Sequence, residues 1–258
     1  MCELFGMSAA RSSDVGPLLA EFYGHSNRHP HGWGLALLYP NAVSLEKEPV
    51  PALHSDYLKR RLTAPVEAQH CIAHIRLATR GSLEYANTHP FIKRDATGRA
   101  WTLAHNGTIF ESPLLEPYSR IQQGETDSER ILLYLVDRIN AASARAGREL
   151  TAPERFAVAD EVVCALAPQN KVNLLFFDGE TLYAHTNMAG TLYLHQEPGR
   201  ALFATVPLSG LDWQPLVFTT LTGWQYGALR FTGTDHGQVY IPPAQADLQY
   251  LISSTAVL

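Results

Sequence analysis

Charge is scarce in this 258-residue chain: Asp, Glu, Lys and Arg together make up 17% of it, and the formal net charge is −5. A balance on the acidic side leaves no basic field to neutralise phosphates, so the expected partners are small molecules rather than nucleic acid. Cysteine is scarcer still. Cys2, Cys71 and Cys164 form an odd set at wide spacing, which fits neither a disulfide framework nor a zinc-ligand pattern and points to reduced thiols in a cytoplasmic protein. No stretch reaches the ~18 consecutive apolar residues that cross a bilayer. The first seven residues contain no basic region leading into an apolar run, so neither export nor membrane insertion is expected.

What is present is ordinary globular material. Hydrophobic residues make up 46% of the chain, enough for one large domain over residues 1–258. Short β-rich runs bounded by Gly, Pro, Asn and Asp recur at Glu3–Ser8, Trp33–Tyr39, Cys71–Ala78, Ala100–Ala104, Val172–Phe177, Thr181–His185, Thr191–His195 and Ala201–Val206. Several should form a meander, with Asp178-Gly179 as the centre of a tight hairpin. Two helices are marked. One has Thr126 and Glu129 in capping-box spacing ahead of Ile131, Leu132, Leu135, Val136 and Ile139. The other starts at Thr151-Ala-Pro153-Glu154. Weaker helical patterns lie near Pro17–Tyr23 and Asp56–Leu62, Ala141–Arg148 reads as a loop, and Tyr240–Leu258 as a tail with a short helix or strand. Strands outnumber helices, which suggests sheets covered by helices in layers.

Four short segments could carry chemistry. A small residue after Met1 permits removal of that methionine, and a cysteine then exposed as the first residue combines a thiol nucleophile with an α-amine of pKa about 7.7–8.0, a suitable base. Cys2 opens the apolar run Glu3–Met7, a strand that would hold it firmly. In His74-Ile-Arg76-Leu77-Ala78-Thr79-Arg80-Gly81, Arg76 leaves the end of a strand. There it either presents its planar fork to a substrate carboxylate or simply meets solvent. His105-Asn106-Gly107 ends another strand. It is either a turn or an oxyanion hole made of the Asn106 amide and the Gly107 N–H. Asp127, in Gly124-Glu-Thr-Asp-Ser-Glu129, either holds a substrate ammonium or complements the positive end of its helix. His25, His29 and His31 share one loop, but no carboxylate or cysteine completes a ligand set nearby in sequence, so no metal or other cofactor is expected.

Together and in this order, the N-terminal Cys, H-x-R-x-A-T-x-G, H-N-G and E-T-D-S-E resemble the class II glutamine amidotransferase domain. The likeness is greatest to its stand-alone YafJ-like members, which share the opening M-C-E-L-x-G-M-S. His31-Gly-Trp-Gly34 and Ala204-Thr-Val-Pro207-Leu-Ser, with Trp213, extend the resemblance over most of the chain.

The resemblance implies an α+β, four-layer αββα sandwich of the N-terminal-nucleophile hydrolase type. It implies Cys2 as nucleophile, Asn106 and Gly107 as the oxyanion hole, Arg76 and Asp127 gripping the ends of glutamine, and backbone contacts near Leu77, Thr79 and Arg80. The implied reaction is hydrolysis of the glutamine side-chain amide through a γ-glutamyl thioester. Such domains usually deliver ammonia to a synthase, which would here be a separate subunit. The alternatives are a γ-glutamyl amide hydrolase like that of the ergothioneine pathway, or a regulatory module that kept the fold.

Overall fold

The computed structural model describes residues 2–40, 42–78, 81–110 and 112–242. In chain order the regular elements are β1 (Glu3–Asp14), α1 (Gly16–Gly24), β2 (Trp33–Leu38), β3 (Val43–Glu48), α2 (Asp56–Arg61), β4 (Glu67–Ile75), β5 (Phe91–Arg94) and β6 (Ala100–His105). Then come α3 (Asp127–Ala146), α4 (Ala152–Leu166), β7 (Leu174–Phe177), β8 (Leu182–His185), β9 (Tyr193–Glu197), β10 (Arg200–Ala204), β11 (Gln214–Pro215), β12 (Thr220–Gln225) and β13 (Ala228–Asp235).

Period-2 alternation sorts the strand side chains into two sets and thereby builds the layers. Along β1, Phe5, Met7 and Ala9 pack with Leu19 and Phe22 of α1 and Leu58 of α2, while Leu4 faces the other way. Leu4 joins Ala36, Ile72, Ala104, Leu175, Phe177, Ala184 and Phe203 in a core between two sheets. A third core lies beyond the second sheet, where Ile131, Leu135 and Ile139 of α3 and Phe156, Val163 and Leu166 of α4 meet Trp101, Leu103 and Phe176. The result is a helix, sheet, sheet, helix sandwich. Its seven-stranded sheet runs β11-β9-β10-β1-β4-β2-β3 and its six-stranded sheet runs β13-β12-β8-β7-β6-β5. Every pairing is antiparallel, and β5 to β8 form the expected meander.

Several local expectations are revised. Residues 141–146 continue α3 instead of forming a loop. Ala141, Ala142, Ala144 and Ala146 are strong helix formers, and the helix stops only where Gly147 turns left-handed at φ 66°. Thr126 does cap α3 by accepting from Glu129 N at 3.3 Å, but the Glu129 carboxylate turns away to accept from Gln123 N and Gly124 N. The reciprocal box occurs instead at α4, where Glu154 accepts from Thr151 N at 2.8 Å. The β7–β8 hairpin is present, shifted by one residue. Asp178 N donates to Thr181 O, leaving Gly179-Glu180 as the central pair, and Gly179 supplies the positive φ of 89°. Asp178 braces the turn by accepting from Thr181 N, Glu180 N, Arg155 Nε and Tyr183 Oη. The tail expected to form a helix or strand falls largely on residues 243–258, outside the described ones.

Candidate active site

Strand register assembles the site. Glu3 pairs with Ile75 and Leu4 with His74, so one step further Cys2 falls opposite Arg76, at the end of β1 beside the end of β4. Cys2 shares its face of β1 with Leu4, so its side chain continues the inner, inter-sheet series. The sulfur lies 3.3 Å from Leu77 N, which donates to it, and 3.5 Å from Leu77 O. Burial pushes the Cys2 thiol up. The Leu77 N–H and the positive charges of Arg76 and Lys171 pull it back.

Arg76 is 2% exposed. Its backbone N–H donates to Gly32 O, and its guanidinium donates to Ser82 O at 3.0 Å and Gly81 O at 3.2 Å. The sequence allowed a solvent-facing arginine here. Burial rules that out and makes Arg76 a brace for the loop that follows. Glu125 closes the loop from the other side by accepting from Ser82 N at 2.8 Å, from its hydroxyl, and from Asn87 Nδ2. These bonds and the Arg76 charge hold Glu125 below the usual carboxylate range. Thr79 and Arg80, expected to offer backbone contacts, lie outside the described residues.

Asn106 and Gly107 follow β6 on the facing sheet, but they do not make a simple hairpin turn. The Asn106 N–H donates to Asn173 O at 2.9 Å, and Thr108 forms a bridge with Lys171. A Cβ at Gly107 would overlap Lys171 O and His105 Nε2, so only glycine fits. Gly107→Ala is therefore expected to cost about 1–3 kcal/mol or more of stability and to shift Asn106. Urea unfolding checks this, and an alanine variant with native stability would contradict the packing described.

Asp127 is the first residue of α3 and is 9% exposed. One of its oxygens accepts from Ile109 N at 2.6 Å and the other from Ser128 Oγ at 3.3 Å. It therefore tethers the strand-end segment carrying Asn106 to the start of the helix, in addition to standing where the macrodipole favours a carboxylate.

Two functional candidates escaped the sequence reading. Thr205 accepts from Leu4 N at 2.9 Å, donates its own N–H to Leu4 O, and takes Asn106 Nδ2 at 3.5 Å. It thus joins the Cys2 strand to the Asn106 strand. Its signal in the sequence was the Ala204–Ser209 motif, to which no role was attached. Lys171 donates to Asn106 Oδ1 at 3.3 Å and is 5% exposed. Nothing in the sequence around it marks it out.

The histidine loop also differs from expectation. A carboxylate does meet it, because Glu3 points outward from β1 and bonds His25 Nδ1 at 2.8 Å, with His29 Nε2 at 3.7 Å. His31 accepts from Ala78 N at 2.8 Å, fixing the segment that follows Arg76. Among the described residues, no group of three or more His, Cys, Asp or Glu side chains is placed to hold a metal ion. Among them also, no helix is long and apolar enough to cross a membrane.

Known structures share this N-terminal-nucleophile-type sandwich fold. A predicted glutamine amidotransferase from Pseudomonas aeruginosa PA01 superposes with a TM-score of 0.61 at 24% identity, covering 88% of this chain and 99% of that one. The glutamine phosphoribosylpyrophosphate amidotransferase of B. subtilis gives 0.67 at 16% identity, covering 91% of this chain and 49% of that one. At those identities the likeness is one of fold.

Sequence supplies the family. The model of the class II glutamine amidotransferases matches residues 1–209. YafJ of Escherichia coli (strain K12) is 32% identical over 217 residues, 82% of each chain. The protein MJ1515 of Methanocaldococcus jannaschii is 32% identical over 197 residues, which is 76% of this chain and 53% of that one. The chain belongs to the class II glutamine amidotransferase family.

Proposed function

We propose that this protein hydrolyses the side-chain amide of glutamine, or of a closely related γ-glutamyl compound, with Cys2 as an N-terminal nucleophile after removal of Met1. The observation that carries this reading is the position of Cys2. Its thiol lies at the start of β1 against Leu77, with Arg76 beside it and Lys171 linking its surroundings to Asn106.

The thiol sulfur attacks the amide carbon while the α-amine of Cys2 takes the thiol proton. The Asn106 Nδ2 and the Gly107 N–H hold the negative oxygen of the tetrahedral adduct. That adduct collapses as the α-ammonium passes its proton to the departing nitrogen. Ammonia leaves, and a γ-glutamyl thioester remains on Cys2. Water then adds to the thioester and expels the thiol, giving glutamate. Arg76 and Asp127 hold the α-carboxylate and α-ammonium of the substrate, in addition to bracing the loops on either side. Ammonia is released to water or passed to a synthase on a separate polypeptide.

A substrate panel tests the reading. Purified protein lacking Met1, confirmed by intact mass, should release glutamate from glutamine or from another γ-glutamyl amide. Absence of glutamate across the whole panel would refute it.

A further inference from the structure

We infer that Lys171 is the positioning residue of the oxyanion hole, holding the Asn106 carboxamide so that its N–H donor, and not its carbonyl, faces the reacting amide. This inference rests on the proposed amidase reading for its kinetic consequences, but its geometry stands alone.

A carboxamide is nearly symmetric in shape, and its two ends have opposite chemistry. If Asn106 turned over, its oxygen would meet the developing oxyanion and repel it. Something must break the symmetry, and Lys171 does so because an ammonium has donors and no acceptor. Its Nζ lies 3.3 Å from Asn106 Oδ1, a bond that the turned-over amide, offering NH2 instead, could not make. At the other end Asn106 Nδ2 lies 3.5 Å from Thr205 Oγ1, a long contact that an incoming oxyanion can replace.

The backbone of Lys171 is committed to the same segment. Lys171 O accepts from Thr108 N at 3.1 Å and contacts His105 Nε2 at 3.1 Å, and Lys171 N donates to Thr108 O. One residue therefore holds residues 105–108 from both backbone and side chain. Its position between α4 and β7 is what delivers that grip.

A buried ammonium is costly, and burial brings Lys171 down to about 8, with the Cys2 thiolate working in the opposite direction. Among the described residues, the charged and titratable groups near it include Cys2, Arg76 beyond Cys2, and His105, whose imidazole the Lys171 charge helps keep neutral. A leucine or methionine would fill this site at lower cost if packing were all that was needed.

The test compares Lys171→Met, Lys171→Gln and Lys171→Arg, alone and on an Asn106→Ala background, so that the comparison survives if one variant fails to fold. Lys171→Met is expected to lose at least ~10-fold in kcat with KM within about 3-fold, since the lost interaction matters in the transition state. Lys171→Arg, which keeps a cationic donor, should recover part of the loss. On the Asn106→Ala background the Lys171 substitution should cost little more, because the residue it acts through is gone. A crystal structure of Lys171→Met should show the Asn106 carboxamide turned or disordered. That arm needs no turnover, so failure of the amidase reading would not decide it. An undiminished kcat in Lys171→Met, the same loss with and without Asn106, or an Asn106 amide unmoved in the crystal would each overturn the inference.

Discussion

Cys2→Ala is expected to release no glutamate or ammonia above background, a loss of at least ~10⁴-fold, while its melting temperature stays close to that of the parent. Removing the nucleophile of a covalent hydrolase costs up to about 10⁶ in kcat, because the other groups remain organised around a step that can no longer occur. Stability should hardly change, since the side chain is small and, among the described residues, bonds only to the backbone of Leu77. Burial raises the Cys2 thiol, which disfavours the thiolate. An acceptor for its proton is therefore needed, which is the part assigned to its own α-amine. A second prediction follows within the same experiment: protein retaining Met1 should be as inactive as the alanine variant. Equal glutamate release by Cys2→Ala and the parent would remove the cysteine mechanism outright.

The second large effect is acid destabilisation. His74 and His185 are buried and held down to about 3, and His70 to about 4, in each case chiefly by desolvation of the charged ring. His89, its ring tilted against that of His74 with centroids 4.2 Å apart, is lowered in the same direction and for the same main reason. The unfolded chain titrates these rings near pH 6.5. Between that value and about 4 the unfolded state therefore binds protons that the native state does not, and stability falls as pH falls.

From pH 7 to pH 5 each neutral ring accounts for about 2 kcal/mol. The three with values of about 3 to 4 together account for about 6 kcal/mol, comparable with the whole stability of many domains. Lys47 and Lys171, both brought to about 8 by burial, act elsewhere. Below pH 8 they are charged in both states and contribute no slope, and above it the unfolded state binds the extra proton, so stability rises with pH. Urea titrations at pH 7 and pH 5 measure the difference. A change smaller than about 2 kcal/mol would show that the buried imidazoles accept protons without unfolding.

Much of the architecture was legible because it depends on neighbours in sequence. The β-rich runs Glu3–Ser8 and Ala100–Ala104 marked strands, and Thr126 with Thr151 marked helix starts. Local signals failed where they were weak or overridden. Strand β3 is a polar edge strand of the seven-stranded sheet, and β13, the outermost strand of the other, is mostly exposed, so neither carries a clear apolar face. The small, polar end of α3 read as loop because alanine stabilises a helix without adding an apolar stripe.

The candidate site divides in the same way. Cys2, Arg76, Asn106-Gly107 and Asp127 could be picked out because each sits in a short motif whose chemistry is local. The sequence by itself determined which candidate groups this protein has for the proposed reaction, since a thiol, a guanidinium, an amide beside a glycine and a carboxylate are covalent facts. Only the tertiary structure decided which of them face one another and what orients them. Lys171 lies 65 positions from Asn106 and Thr205 lies 99. Contacts of that kind arise from the pairing of distant strands and the stacking of two sheets, which no short stretch of sequence encodes.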